Sequence, residues 1–150
     1  MPDLRELYQE VILDHHKKPR NFRTPGEANR HAEGFNPLCG DKVTVHILVE
    51  NGVIRDIAFQ GSGCAISTAS ASMMTEALKG KSEEDAVRIF GRFHDLVTGK
   101  TPADGDQPGL GKLEVFTGVR DYPTRVKCAT LAWHTMRAAL SGFKETVATE

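Results

Sequence analysis

The chain has few cysteines, three in 150 residues: Cys39, Cys64 and Cys128. An odd number at wide spacing argues against a disulfide framework. There is also no Cys-x-x-Cys pair, the usual anchor of a structural zinc assignment. A dominant charge sign is missing as well, since 19 Lys and Arg stand against 20 Asp and Glu. Such a balanced surface gives no reason to expect a nucleic-acid or membrane partner. No apolar run approaches the roughly 18 residues that a membrane span requires. Met1 to Glu10 carries mixed charges and no apolar h-region, so it does not read as a signal peptide. The expected compartment is therefore the cytoplasm, where thiols stay reduced. Repeats, low-complexity tracts and composition breaks are absent too, and a single domain over residues 1–150 is expected. That length, with 39% apolar residues, can bury a core without covalent staples.

Asp3 with Glu6 reads as a helix start, and Leu4, Leu7, Tyr8, Val11 and Ile12 recur at helical spacing. This helix is predicted to end near Lys17, before Pro19, with Pro19 to Glu27 as a polar connector. A short strand is predicted at His31 to Phe35. Val43, Val45, Ile47 and Val49 alternate with polar residues, the period of a half-buried strand. Asn51-Gly52 is a strong hairpin signal, and Val53 to Gln60 forms the return strand. From Ala65 the pattern turns helical, with Ala69, Met73, Ala77 and Leu78 inward and Gly80 as the stop. Ser82 and Asp85 open a further helix with an Ala86, Ile89, Phe90, Phe93, Val97 stripe. Thr98 to Gly111 reads as a surface loop, Lys112 to Val119 as one or two helical turns, and Ala129 to Leu140 as the last helix, stopped by Gly142. Strands first and helices after predict an α+β fold: a small antiparallel sheet of about three strands with helices packed on one face.

Counting alone leaves open three unrelated buried thiols, because free cysteine is among the most buried residue types. The local sequences argue otherwise, since each cysteine sits at a predicted element boundary. Cys39 lies in Asn36-Pro37-Leu38-Cys39-Gly40-Asp41, before the first long strand. Cys64 lies in Gly61-Ser62-Gly63-Cys64-Ala65, ahead of a helix, and Cys128 directly precedes the predicted last helix. A thiol at a helix N-terminus is biased toward thiolate, the form that binds soft metals and attacks sulfur. Gly40, Gly61 and Gly63 leave the backbone open for close approach. Asp41 stands two residues from Cys39 and can point the same way. Three thiolates and a carboxylate make a donor set that tetrahedral zinc accepts, and Arg125 and Lys127 are placed to offset its negative charge. Lys127 reads equally as an ordinary surface lysine. His15 and His16 suit the end of the first helix, where positive charge opposes the dipole. His134 is expected to pack or meet solvent, His46 to face away from the apolar side of its strand, and Met73 and Met74 to be core.

At Cys39-Gly40-Asp41, Gly63-Cys64-Ala65-Ile66-Ser67 and Arg125-Val126-Lys127-Cys128-Ala129 the sequence resembles the IscU/NifU family of iron–sulfur assembly proteins. Ile12-Leu13-Asp14-His15 and Pro19-Arg20-Asn21 are similar to that family's opening stretch, and the likeness runs from Leu4 to about Leu140. Within the family it is similar to the SufU branch. IscU-type members have histidine where this chain has Lys127, and a Leu-Pro-Pro-Val-Lys chaperone motif where this chain reads Asp121-Tyr122-Pro123-Thr124-Arg125-Val126-Lys127. Glu83 to Gly111 looks like the SufU-type insertion. The resemblance implies a SufE/NifU-like sandwich and a zinc site of Cys39, Asp41, Cys64 and Cys128. It also implies a pyridoxal-phosphate cysteine desulfurase of the SufS type as partner, with iron–sulfur assembly machinery downstream. It puts Cys39 first as sulfur acceptor and Cys128 second. Three function classes follow: a zinc-dependent sulfurtransferase, a scaffold carrying iron or an iron–sulfur cluster transiently on the same ligands, and a zinc-stabilised adaptor without chemistry.

Overall fold

The computed structural model describes residues 4–23, 27–37, 40–99, 113, 116, 118–119, 122–142 and 147–148, without the side chains of 4–8 and 147–148. The chain runs α1 (Leu4–Lys17), β1 (Arg30–Asn36), β2 (Asp41–Glu50), β3 (Val53–Ser62), α2 (Ala65–Leu78), α3 (Glu83–Thr98), α4 (Pro123–Ser141) and β4 (Val147–Ala148). Three strands are antiparallel neighbours, as the alternation and the Asn51-Gly52 turn require. The fourth is a two-residue parallel addition at the far edge, giving the order β3-β2-β1-β4. Two-residue strands carry too little pattern to be read from sequence.

One sheet face is apolar and covered. Val43, Val45, Ile47 and Val49 are buried along β2, while Lys42, Thr44, His46, Leu48 and Glu50 alternate onto the opposite face. Helix α4 packs on β1 and β2, α2 packs on β3, α1 lies against α2, and α3 lies against α4. The expected α3 stripe of Ala86, Ile89, Phe90, Phe93 and Val97 is buried, and Ser82 caps that helix by accepting the Asp85 N–H. Phe93 and Trp133 stack with ring centroids 4.6 Å apart, and Phe116 meets Phe93 edge-on. Leu113, Phe116 and Val119 are buried within 3₁₀ turns, in the segment read as one or two helical turns. Most of the expected loop, from residue 100 to 111, lies outside the described residues, as does the Asp3 cap. No helix among the described residues is long and apolar enough to cross a membrane.

Three expectations need correction. Pro19 to Glu27 is more than a connector: Phe59 N–H donates to the Asn21 carbonyl, Arg23 N–H donates to the Phe59 carbonyl, and Phe22 bridges the free edge of β3. His15 does not serve the α1 dipole from the surface. It is buried, bonds Ser72 Oγ through Nδ1 at 2.7 Å, and stands 3.6 Å from Glu76. Arg20 N–H donates to the same hydroxyl, so Ser72 joins α2 to both α1 and the turn after it. Last, α4 begins at Pro123 rather than near Ala129. Proline at the first helical position needs no N–H partner, and Tyr122 makes no side-chain cap, so the usual polar start signal is missing.

Candidate metal centre

The early start of α4 changes the account of Cys128. This residue lies inside the helix and is fully buried, so it is not at the positive end of the dipole. The helix-terminus argument holds for Cys64 alone. Cys64 is the N-cap of α2, and its sulfur accepts the Ser67 N–H at 3.4 Å. Asp41, the first residue of β2, is 1% exposed and reaches the same point. Its Oδ1 accepts the Cys64 N–H at 2.9 Å, and its Oδ2 lies 3.7 Å from the Cys64 sulfur. Cys128 meets them from α4. The ligand atoms of Asp41, Cys64 and Cys128 all lie within 4.8 Å of one another, a grouping unique among the described residues. Cys39 lies outside the described residues, between β1 and β2 in sequence.

Two glycines serve this convergence differently from the open backbone that the sequence suggested. Gly61 has φ +147°, and a Cβ there would collide with the Lys42 carbonyl across the β2–β3 ladder. A Cβ on Gly63 would stand 2.7 Å from Asp41 Oδ1. Both glycines let protein groups approach each other. Gly40, with φ +73° and nothing within 4 Å, is a left-handed turn residue with open space beside it.

The Cys64 thiol is lowered from 9.0 to about 6. The largest cause is the hydrogen bond from Cys128, aided by the backbone N–H groups of Ser67 and Ile66. Partial burial and the Asp41 charge oppose it. Arg125 is exposed one turn before Cys128, on the same side of α4, whereas Lys127 is half-buried and points about a quarter-turn away. Arg125 is therefore the better placed to offset charge at the sulfurs.

The donor set fits a zinc ion. Zn–S near 2.3 Å and Zn–O near 2.1 Å at tetrahedral angles put sulfur and oxygen about 3.6 Å apart. The Cys64–Asp41 separation of 3.7 Å is close to that edge. Two thiols and a carboxylate supply three donors, and the fourth must come from elsewhere.

These features define a class: a small α+β protein that gathers soft and hard anionic donors at the end of its sheet, from three separate elements. The chain matches the NifU-like N terminal domain family over residues 7–129. It belongs to this IscU/NifU family of iron–sulfur cluster assembly proteins. It is 40% identical over 139 residues to the zinc-dependent sulfurtransferase SufU of Bacillus subtilis (strain 168), covering 93% of this chain and 92% of the relative. It is 41% identical over 138 residues to the iron–sulfur cluster assembly scaffold protein IscU of Streptococcus pyogenes serotype M1, covering 91% and 84%. A crystal structure of a candidate assembly scaffold of the SUF system, from Fervidobacterium islandicum AW-1, superposes with TM-score 0.83 at 36% identity, covering 91% and 98%.

Sequence reasoning missed two groups at the site. Asn36, fully buried, directs its side-chain nitrogen at the Cys128 sulfur, 3.8 Å away. Ser70, also buried, accepts the Trp133 indole N–H at 3.0 Å and donates to the Ala129 carbonyl, tying α2 to α4 beside Cys128. Asn36 stood in a motif already singled out, so its amide could have been weighed. Ser70 sits in a Ser-Thr-Ala run with no signal of its own.

Proposed function

We propose that this iron–sulfur assembly protein accepts persulfide sulfur from a pyridoxal-phosphate cysteine desulfurase at a zinc site of Cys39, Asp41, Cys64 and Cys128. The observation that carries this reading is the convergence of Asp41, Cys64 and Cys128. A relative with the same overall length is named a zinc-dependent sulfurtransferase, which supports it. Zinc, when bound, keeps thiols deprotonated at neutral pH and fixes their direction.

The chemistry is thiol–persulfide exchange. A thiolate of this chain attacks the outer sulfur of the desulfurase persulfide, a new S–S bond forms, and the desulfurase sulfur leaves as a thiolate. The exchange needs no outside oxidant or reductant. Cys39 is the acceptor in this reading and Cys128 the second choice. A fully buried sulfur inside a helix offers a poor line of attack, which supports that order. Cys64 and Asp41 stay in place, the first held by its cap geometry and the second by the Cys64 N–H.

The test is cysteine turnover by the partner desulfurase, with and without the zinc-loaded protein. Stimulation that disappears in Cys39→Ala supports the proposal. Absence of stimulation transfers the site to the scaffold role, with iron and sulfide as cargo. Unfolding on zinc removal would instead mark an adaptor, because a 150-residue protein with this core should outlast metal loss at lower stability.

A further inference from the structure

The strand leading into the cysteine turn carries a side chain that acts on the opposite side of the site. On β1, Ala32, Gly34 and Asn36 face the helices. A Cβ on Gly34 would overlap the Thr135 hydroxyl and press on Leu131, so α4 side chains pack directly against the β1 backbone here. One step along the strand, and one turn back along the helix, Asn36 meets Cys128. Its Nδ2 stands 3.8 Å from Sγ, a hydrogen-bond distance for the larger sulfur atom, and both residues are 0% exposed. The same residue closes the turn: Gly40 N–H donates to the Asn36 carbonyl at 2.8 Å, and Asn36 is the cross-strand partner of Asp41. Pro37 follows it, which holds Asn36 in the extended region.

We infer that Asn36 is a positioning residue, whose side-chain amide donates to the Cys128 sulfur and fixes it as the anchored thiolate of the metal site. The inference rests on the zinc reading above and deepens it. An amide suits the task. It donates without carrying charge, and it cannot take a proton from the sulfur at any ordinary pH. Groups that hydrogen-bond a ligand orient it and tune its bond to the metal, and their loss costs roughly 10- to 100-fold in affinity. A donated hydrogen bond orients the sulfur and also withdraws electron density from it, so Cys128 is the less nucleophilic thiolate and a different cysteine the reactive one. The three cysteines are thereby made unequal by a residue of the Cys39 motif that acts on Cys128.

The experiment uses the full chain loaded with cobalt(II) in place of zinc, read by its sulfur-to-cobalt charge-transfer absorption. Asn36→Ala should shift that band to lower energy and weaken zinc binding by roughly 10- to 100-fold in a chelator competition. A second measurement needs no variant. In the wild-type protein loaded with cadmium-113, an Asn36 side-chain amide proton should show scalar coupling to the metal through the sulfur. An unmoved band in a folded Asn36→Ala protein, or absence of that coupling with cadmium bound, overturns the inference and leaves the metal site standing. Failure of the wild-type protein to take up cobalt or cadmium overturns the zinc reading and this inference with it.

Discussion

Replacing Gly63 with alanine tests the placement of Asp41 without touching any donor. Gly63 is not in the left-handed region, so alanine is allowed there by the backbone. Taken alone, that change would stabilise by about 0.4–1 kcal/mol through the unfolded chain. The structure reverses the sign. The new Cβ would stand 2.7 Å from Asp41 Oδ1, 3.1 Å from Cγ and 3.2 Å from Cβ. The carboxylate oxygen could swing aside, but the Asp41 Cβ is fixed by β2, and the residue is 1% exposed. If the backbone yields, overpacking costs about 1–3 kcal/mol. If the carboxylate yields, the bond to the Cys64 N–H is lost, at about 1.5–3 kcal/mol for a charged acceptor. Either route leaves a net loss of up to about 2.6 kcal/mol after the unfolded-state gain. Urea unfolding of the metal-free protein measures it, and chelator competition should show weaker zinc binding in the same variant. Gly91, in α3 with nothing within 4 Å, is the control. Gly91→Ala should stabilise by up to about 1 kcal/mol from helix propensity. A Gly63→Ala protein that gains stability as Gly91→Ala does, with zinc affinity unchanged, would refute the close approach of Asp41 to the Cys64 turn.

Further outcomes follow from other contacts. In the metal-free protein, alkylation of Cys64 should rise with pH around a midpoint of about 6, followed by peptide mass spectrometry; a midpoint near 9 would remove the Cys128 hydrogen bond from the account. Because the folded value is lowered, the native state holds fewer protons than the unfolded chain between about 6 and 9. Stability of the metal-free protein from this group should therefore rise with pH across that window and be lost as pH falls through about 6, a trend that Cys64→Ser should flatten. Gly34→Ala should cost about 1–3 kcal/mol by forcing β1 from Thr135, lowering the thermal midpoint by roughly 2–12 °C. Ser70→Ala leaves the Trp133 indole N–H buried without its acceptor and should cost about 1–3 kcal/mol in urea unfolding.

The sheet and three of the four helices were legible because their signals are local. Alternation along β2, Asn51-Gly52 at the hairpin, and Ser82 with Asp85 at α3 each name an element without help from the rest of the chain. The start of α4 was not legible, since Tyr-Pro-Thr-Arg-Val-Lys offers no polar cap and its exposed first turn has no apolar stripe. That error carried into the chemistry. It assigned Cys128 a helix dipole, whereas the structure gives it an amide from β1. Residues that act through a partner distant in sequence, such as His15 on Ser72 or Asn36 on Cys128, are invisible to periodicity. Cys64 and Asp41 stand out in the sequence because their motifs are short and self-contained, and the structure brings Cys128 to them from a helix whose start the sequence misplaced.

The tie between Ser70 and Trp133 has a consequence for how the site tolerates change. Ser70 lies further along the helix that Cys64 begins, and Trp133 further along the helix that holds Cys128. One bond in the interior thus acts as a set-screw on the gap between two sulfurs, one buried and one half-buried. Phe90 and Phe93 stack on Trp133, so a substitution that reshapes that packing acts on the same tie. The separation of the two sulfurs is therefore set partly by the core and not by the site alone.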